Sequence, residues 1–519
     1  MSRKTLTVLS ALCLQASGFS AQAAEAPPPP SAIRNFSGVC QGFGKISALD
    51  EFVGWERDDV YWDKLEPKPG QWNQAELEKW GQKILQLRAQ GVQFLPILDY
   101  SARWAVDSEP RTLHFADGRR VEIKPDPSAP FPGAMIETTF IRNAATGAWE
   151  QTGAGSKTVK NHALSQLGAA HVPAWEAYVR RVVTFLSAPP YNLRYFQVWN
   201  EAHAESGFWR QGDNLDVYMQ RVHLPAAKII RELGSKVVYG GWPCCGSVQE
   251  YVALLDRNNA WESIDVHDLH YFPVSSFEYI HRAAEKRDHG SPSIWQTEIG
   301  FTTDPTVLAN EYPRYLDWAL RKGWDPAAEP DKYKLFWFAA QSPDDPKAYG
   351  YKHSLMLGDK LHAHGLSLKT LVALLSPGQF GRYTDPVETS PVLHAEIDER
   401  KSSLEAFTAD DGRKIVLALH LAQNNTAKIF TDWNGDLGSI HLDHGNPAIT
   451  VTLPVLSPGR IDGIRRVDAA GTATPLAAED AANSTTLVVP IRDAKDSPSA
   501  KWMNDGPVRT FYVEITLKP

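Results

Sequence analysis

Cysteine is scarce in this chain. Four occur in 519 residues, and Cys13 falls in an N-terminal leader-like stretch. The remaining Cys40, Cys244 and Cys245 are odd in number, which excludes complete pairing within one chain. A bridge from Cys40 to either of the others, a vicinal Cys244–Cys245 bridge and buried thiols all stay open. No Cys-x-x-Cys occurs, and no Cys/His spacing fits structural zinc. Basic charge is also short. The 53 Lys and Arg against 61 Asp and Glu leave a net charge of −8. That argues against nucleic acid as the main partner, because phosphate binding needs a basic surface. Long apolar runs are missing too: no stretch approaches the roughly 18 residues of a membrane-spanning helix, so no membrane insertion is expected.

Aromatic residues are plentiful. The 17 Trp and 17 Tyr exceed what packing alone requires, and such rings stack on sugars or fill interfaces. The N-terminus reads as a secretory signal over residues 1–23. Arg3 and Lys4 form its basic part, Thr5 to Leu14 its apolar part, and Ala21-Gln22-Ala23 a small-x-small cleavage site. A Pro-rich tether over 24–34 follows, with Pro27 to Pro30 stiffening it. The expectation is an exported protein, periplasmic or secreted.

From residue 35 to 384 short apolar runs alternate with helical patterns. Asn73 caps a helix carrying Leu77, Trp80, Ile84 and Leu87 on one face, and Glu76 stands three residues after the cap. The runs Val92–Leu98, Tyr195–Trp199, Lys236–Tyr239, Ile264–His267, Ser293–Thr297 and Leu335–Phe338 read as buried strands, with two more near Gly38 and Trp55. Eight strand–helix units predict an α/β fold, a (β/α)8 TIM barrel with its chemistry at the C-terminal strand ends. Residues 106–170 break the alternation. Their Asp117-Gly118 signals a hairpin after the third strand, either a lid or wall over the active face or a passive decoration. From 385 to 519 the period becomes two, with turn signals at Asp410-Asp411-Gly412 and Asn434-Gly435, which predicts a C-terminal β-sandwich domain.

Two carboxylates stand at strand ends. Glu201 closes Phe196-Gln197-Val198-Trp199-Asn200-Glu201, and Glu298 closes Ile294-Trp295-Gln296-Thr297-Glu298. By count these are the fourth and seventh strands, so the two face each other across the barrel mouth. Such a pair suits glycoside hydrolysis: one carboxyl protonates the leaving oxygen, and the other attacks the anomeric carbon or activates water.

Trp199-Asn200-Glu201 resembles the W-N-E motif of clan A glycoside hydrolases, and Trp295 to Gly300 resembles their second glutamate segment. Trp55 to Trp72 and Gly91 to Trp104 resemble the clan's second- and third-strand regions. Phe208-Trp209 after W-N-E brings the likeness nearest to glycoside hydrolase family 39 and related bacterial exopolysaccharide hydrolases. The resemblance implies a retaining double displacement with Glu201 as acid/base and Glu298 as nucleophile. It implies that Asn200 donates to the substrate 2-hydroxyl. Arg57 either keeps the nucleophile ionised or pairs at the surface with Asp58 or Asp59. His270 and Tyr271 stand where the clan places a His and a nucleophile-holding Tyr, though Phe272 competes for the tyrosine position. Trp104, Trp209 and Trp337 are candidate sugar contacts, Trp337 equally a core residue. Ala202 departs from the family's usual proline. His267 and His270 lie on opposite faces of a strand, so no metal site is expected there.

The expected function is an exported hydrolase of a poly- or oligosaccharide, endo-acting on a bacterial exopolysaccharide, with no cofactor and no metal. The alternatives are an exo-acting β-xylosidase-like glycosidase and a non-catalytic carbohydrate-binding barrel.

Overall fold

The computed structural model describes residues 31–519 except 43–45, 108, 115–117, 127, 129–134, 159–163, 204, 210–214, 301–305, 391–402, 423–447, 482, 492–495 and 499–507. The signal over 1–23 and the Asn434-Gly435 turn lie outside the described residues. Residues 32–34, read from the sequence as the end of the tether, are helical. Ala32–Phe36 form a helical turn whose Ile33 and Phe36 are buried, so these residues already belong to the folded body.

Eight parallel strands close a barrel. In chain order they are β1 (Ser37–Cys40), β2 (Trp55–Tyr61), β3 (Gln93–Asp99), β4 (Tyr195–Val198), β5 (Lys236–Val238), β6 (Val266–His270), β7 (Ser293–Gly300) and β8 (Tyr333–Phe338). The inward residues Trp55, Leu95, Tyr195, Val238, Val266, Trp295 and Phe336 fill the lower barrel, so the interior is packed rather than open. The outward residues join the helices in one continuous apolar cluster. The helix Gln74–Ala89 begins as its sequence dictates: the Asn73 side chain accepts from the Glu76 N–H at 3.2 Å, and Leu77, Trp80, Ile84 and Leu87 are buried. Between Leu215 and Glu232 a π-turn over Met219–His223 precedes Pro225, so the helix is interrupted where the proline ring excludes a regular turn.

β7 departs from regular pairing. Against β6, Asp268 pairs with Trp295 but His270 pairs with Glu298; against β8, the shift falls between Gln296 and Ile299. One extra residue therefore sits in β7. It turns the consecutive Thr297 and Glu298 both toward the barrel interior, which a regular strand forbids.

The insertion forms a four-stranded antiparallel sheet over 111–158, and Leu113 pairs with Val121 as the hairpin signal predicts. Its small core is Leu113, Val121, Ile123 and Met135. Arg119 reaches Glu205, in the loop after Glu201, at 3.4 Å. Leu164, in the returning limb, lines the cleft, so the insertion supplies part of its wall.

The C-terminal part stacks a six-stranded sheet on a four-stranded one. Its strand pairing begins at Gly381–Arg382. In the strand Lys414–Ala422, Ile415, Leu417 and Leu419 enter the core shared with the smaller sheet, whereas Val416 and Ala418 join the main apolar cluster of the barrel. The centre of the larger sheet is thus buried on both faces.

Candidate active site

The mouth of the barrel holds a cleft of about 660 Å³. Glu201, Glu298, Asn200, Arg57 and Tyr271 line it. The strand-end glutamates reach it by different routes. Glu298 uses the bulge in β7. Glu201 follows β4 through a contorted turn in which Trp199 has φ +69° and Glu201 φ +45°. This unusual backbone is held from several sides. Glu201 N donates to Gly240 O at 2.6 Å. A Cβ on Gly240 would fall 2.3 Å from Val198 O, so only glycine lets the chains approach this closely. Beyond Glu201, the Ser206 hydroxyl contacts the carbonyls of Glu201 and His203 at 2.6 and 2.8 Å. These bonds shape the loop that carries Ala202 in place of proline.

Arg57 is the hub. Its Nη1 donates to Glu298 Oε1 at 2.7 Å, its Nη2 to Asn200 Oδ1 at 2.6 Å and its Nε to Gln197 Oε1 at 2.8 Å. The surface pairing with Asp58 or Asp59 is not adopted, because period-two alternation on β2 points Arg57 inward at 3% exposure. The tyrosine question resolves as well. Tyr271, at φ +60°, swings its hydroxyl to Glu298 Oε2 at 3.1 Å, while Phe272 is buried. His270 is fully buried rather than facing the cleft. Its Nδ1 lies 3.0 Å from Glu201 Oε1 and 3.8 Å from Glu298 Oε1.

The environments push the two glutamates apart. Burial raises Glu201, and the negative Glu298 raises it further; the His270 bond only partly offsets this, so its carboxyl stays above the usual range. Burial would raise Glu298 too. There His270, Arg57 and the Tyr271 hydroxyl outweigh it, and its carboxyl lies below the usual range. Burial opposes charge on His270, but Glu298, Asp268 and Glu201 prevail and push it up to about 9. One carboxyl is kept to hold a proton and the other to stay ionised, a split that suits paired acid and base chemistry.

Glu201, His270 and Glu298 present atoms within 4.8 Å of one another. Arg57 places a positive charge beside this group, 2.7 Å from Glu298 Oε1. His267 faces the other way and meets Tyr251 at 2.8 Å.

Three candidate sugar contacts are not at the cleft. Trp337 is fully buried with its indole N–H on His353 O at 2.6 Å, because the alternation of β8 turns it outward and Phe338 inward. Trp209 is buried edge-on against Trp199 at 5.4 Å, and its neighbour Phe208 lines the cleft instead. Trp104 sits in the turn Arg103–Ala105 that directs it back onto Trp62 and Glu66 O, leaving Arg103 at the rim. Nor do the cysteines pair: none of Cys40, Cys244 and Cys245 is in a disulfide. Cys40 is buried with its thiol on Thr297 O at 3.1 Å, and the other two lie at the cleft.

Tyr100 and Tyr349 also line the cleft, and Thr297 and Asp268 stand at His270 Nε2; none of the four was singled out from the sequence. Asp268 had a signal, since it shares the strand parity of His270. Tyr349 had none; it stands in a loop after β8, lines the cleft and is 74% exposed.

No family model and no curated protein matches the sequence. Solved structures do match. The chain is similar to a family 39 glycoside hydrolase from the gut symbiont Bacteroides cellulosilyticus WH2, with a TM-score of 0.50 at 14% identity over 95% of this chain and 83% of that one. It is also similar to the GH39 enzyme from Xanthomonas axonopodis pv. citri, with a TM-score of 0.52 at 13% identity over 95% of this chain and 96% of that one. The chain therefore has the fold of family 39 glycoside hydrolases.

Proposed function

We propose that the chain is an exported retaining glycoside hydrolase that cleaves a polysaccharide, with Glu298 as nucleophile and Glu201 as acid and base. The observation that carries this reading is the pair itself: two inward carboxylates with oxygens within 4.8 Å and opposite proton affinities. Retaining pairs stand about 5–5.5 Å apart, whereas inverting pairs leave room for water at about 6.5–9.5 Å. A non-catalytic sugar-binding barrel has no use for such a pair.

In the first step a Glu298 oxygen attacks the anomeric carbon. The glycosidic C–O bond breaks, and Glu201 gives its proton to the departing oxygen. Arg57 and Tyr271 keep Glu298 ionised and aimed. The product is a glycosyl ester on Glu298. The loss of negative charge at Glu298 lets Glu201 ionise more easily. In the second step water attacks the anomeric carbon, Glu201 takes its proton, and the ester C–O bond breaks. Arg57 occupies the carbonyl oxygen of Asn200, so the amide N–H is what Asn200 offers to a sugar hydroxyl.

Endo action on a bacterial exopolysaccharide is the reading we favour. A cleft of about 660 Å³ with an exposed Tyr349 at its rim has room and a stacking face for sugars beyond the scissile pair. Export rests on the basic and apolar N-terminal pattern. The test is a hydrolysis screen of wild type and Glu298→Ala against bacterial and plant polysaccharides, with product size by mass spectrometry and anomer by NMR. Oligosaccharides of retained configuration, released by wild type alone, are expected. Monosaccharides alone would overturn endo action, inverted products the mechanism, and release by Glu298→Ala the assignment of the nucleophile.

A further inference from the structure

Asp268 takes no part in the double displacement, yet it is a fully buried carboxylate directly behind it. It lies two residues before His270 on β6, so strand alternation sends both side chains into the barrel. The bulge in β7 brings Thr297 to meet them. Thr297 N donates to Asp268 Oδ1 at 2.9 Å, and the Thr297 hydroxyl donates to Asp268 Oδ2 at 2.6 Å. With its one proton committed there, Thr297 Oγ1 has only lone pairs left for His270 Nε2 at 2.9 Å. That geometry requires hydrogen on Nε2. Asp268 Oδ2 itself lies 3.4 Å from Nε2. The ring has no freedom to turn away: a Cβ on Gly241, where φ is +65°, would fall 2.2 Å from Nε2.

The opposite ring nitrogen meets the reacting carboxylates. Nδ1 lies 3.0 Å from Glu201 Oε1 and 3.8 Å from Glu298 Oε1. The groups facing the ring are Asp268 and Thr297 behind, Glu201 and Glu298 in front, Arg57 beyond Glu298, and the backbone of Gly241 and Trp242 at the side. Three carboxylates thus surround one buried imidazole.

We infer that Asp268 is a positioning residue: through Thr297 it fixes His270 as a doubly protonated cation whose Nδ1–H is aimed at Glu201, and this cation sets how tightly the acid/base holds its proton. The inference rests on the reading of Glu201 as acid/base. Two consequences follow from the geometry. His270 occupies Oε1, so the proton that Glu201 donates resides on Oε2. And the carboxylate form that must accept a proton in the second step keeps a cation beside it.

The experiment compares wild type with Asp268→Asn. The imidazole of His270 is followed by NMR against pH, its signal assigned among the 16 histidines by its loss in His270→Gln. Removing one facing charge should lower the His270 midpoint by about one pH unit or more. Above the lowered midpoint Glu201 then loses a cation and holds its proton to higher pH. The basic limb of kcat/KM should move in the alkaline direction, and kcat should fall as the second step slows. An unchanged His270 midpoint overturns the inference. So does a profile that drops in height with both limbs in place, which is what a merely structural residue gives. Should Asp268→Asn fail to fold, Thr297→Val removes the acceptor at Nε2 and with it the hydroxyl link to Asp268 Oδ2, while both charged groups stay in place. A lowered midpoint in that variant supports the relay and an unchanged one overturns it. If wild type cleaves no glycoside, the proposed function fails, while the imidazole titration still decides the relay between Asp268 and His270.

Discussion

Arg57 and Glu298, 241 positions apart in the chain, meet at 2.7 Å inside the barrel with side-chain exposures of 3% and 11%. Breaking a buried pair from one side leaves an uncompensated charge, which costs about 3–5 kcal/mol. Arg57→Ala is therefore expected to lose about that much stability at neutral pH, measured by urea unfolding. The sign with pH follows from Glu298, whose carboxyl is held below its usual range. Such a group contributes stability above its unfolded-state pKa, and the contribution is lost as pH falls through the folded one. The stability gap between wild type and Arg57→Ala should close on acidification. The acidic limb of the pH–rate profile should move to higher pH in the variant, because Glu298 protonates sooner without the guanidinium. A gap that widens in acid would contradict the assigned role of Arg57.

The two glutamates should fail differently. Glu298→Ala removes the attacking oxygen and is expected to lose about 10⁴-fold or more in kcat on any substrate. Glu201→Ala removes only proton transfer, so an activated aryl glycoside, whose leaving group needs no proton, should still form the glycosyl ester. A burst of phenol followed by slow turnover is the expected trace, and added azide should restore turnover. Equal losses on activated and unactivated substrates would refute the division of labour.

The sequence made some of this legible and hid the rest for physical reasons. Glu201 and Glu298 were visible because each ends an apolar run, and an apolar run ending in a carboxylate marks a barrel strand reaching its mouth. Asn73 and the Asp410-Asp411-Gly412 turn, where all three residues have positive φ, were visible because their conformations are local. Trp337 was not, because strand parity decides whether a tryptophan points in or out, and one residue of register exchanges it with Phe338. Nor was the Thr297 relay, since an extra residue in β7 is a property of three paired strands rather than of one.

Trp337 and Tyr349 should therefore separate stability from binding. Trp337 is enclosed in the core, so Trp337→Ala is expected to cost about 3–5 kcal/mol of stability. Tyr349, exposed at the cleft, has no comparable packing to lose. Tyr349→Ala should leave the melting temperature within about 1 °C. It should raise KM for polymer several-fold, in line with about 1 kcal/mol for a lost stacking face. Thermal melts and polymer kinetics on the two variants check both. A Tyr349→Ala enzyme with unchanged KM on polymer would remove that ring from the substrate path.

The β-sandwich is expected to be needed for folding rather than for recognition. The larger sheet sends Phe407, Val416, Val467 and Tyr512 into the same apolar cluster as the barrel helices. Arg382 reaches Asp317, on the helix Thr306–Arg321, at 3.4 Å. Each large apolar side chain taken from water contributes about 1.5–3 kcal/mol. Removing four of them, together with the barrel surface they cover, costs about as much as the 5–15 kcal/mol that holds an ordinary domain together. Deleting residues 381–519 should thus give aggregated or unfolded protein, read by size-exclusion chromatography and circular dichroism. Substitutions on the sandwich's solvent face, such as Val488→Ser at a residue 48% exposed, should leave both folding and hydrolysis unchanged. A soluble, fully active truncation would show that the barrel closes its core without the sheet, and the contacts of Phe407 and Tyr512 would then have to be incidental to its stability.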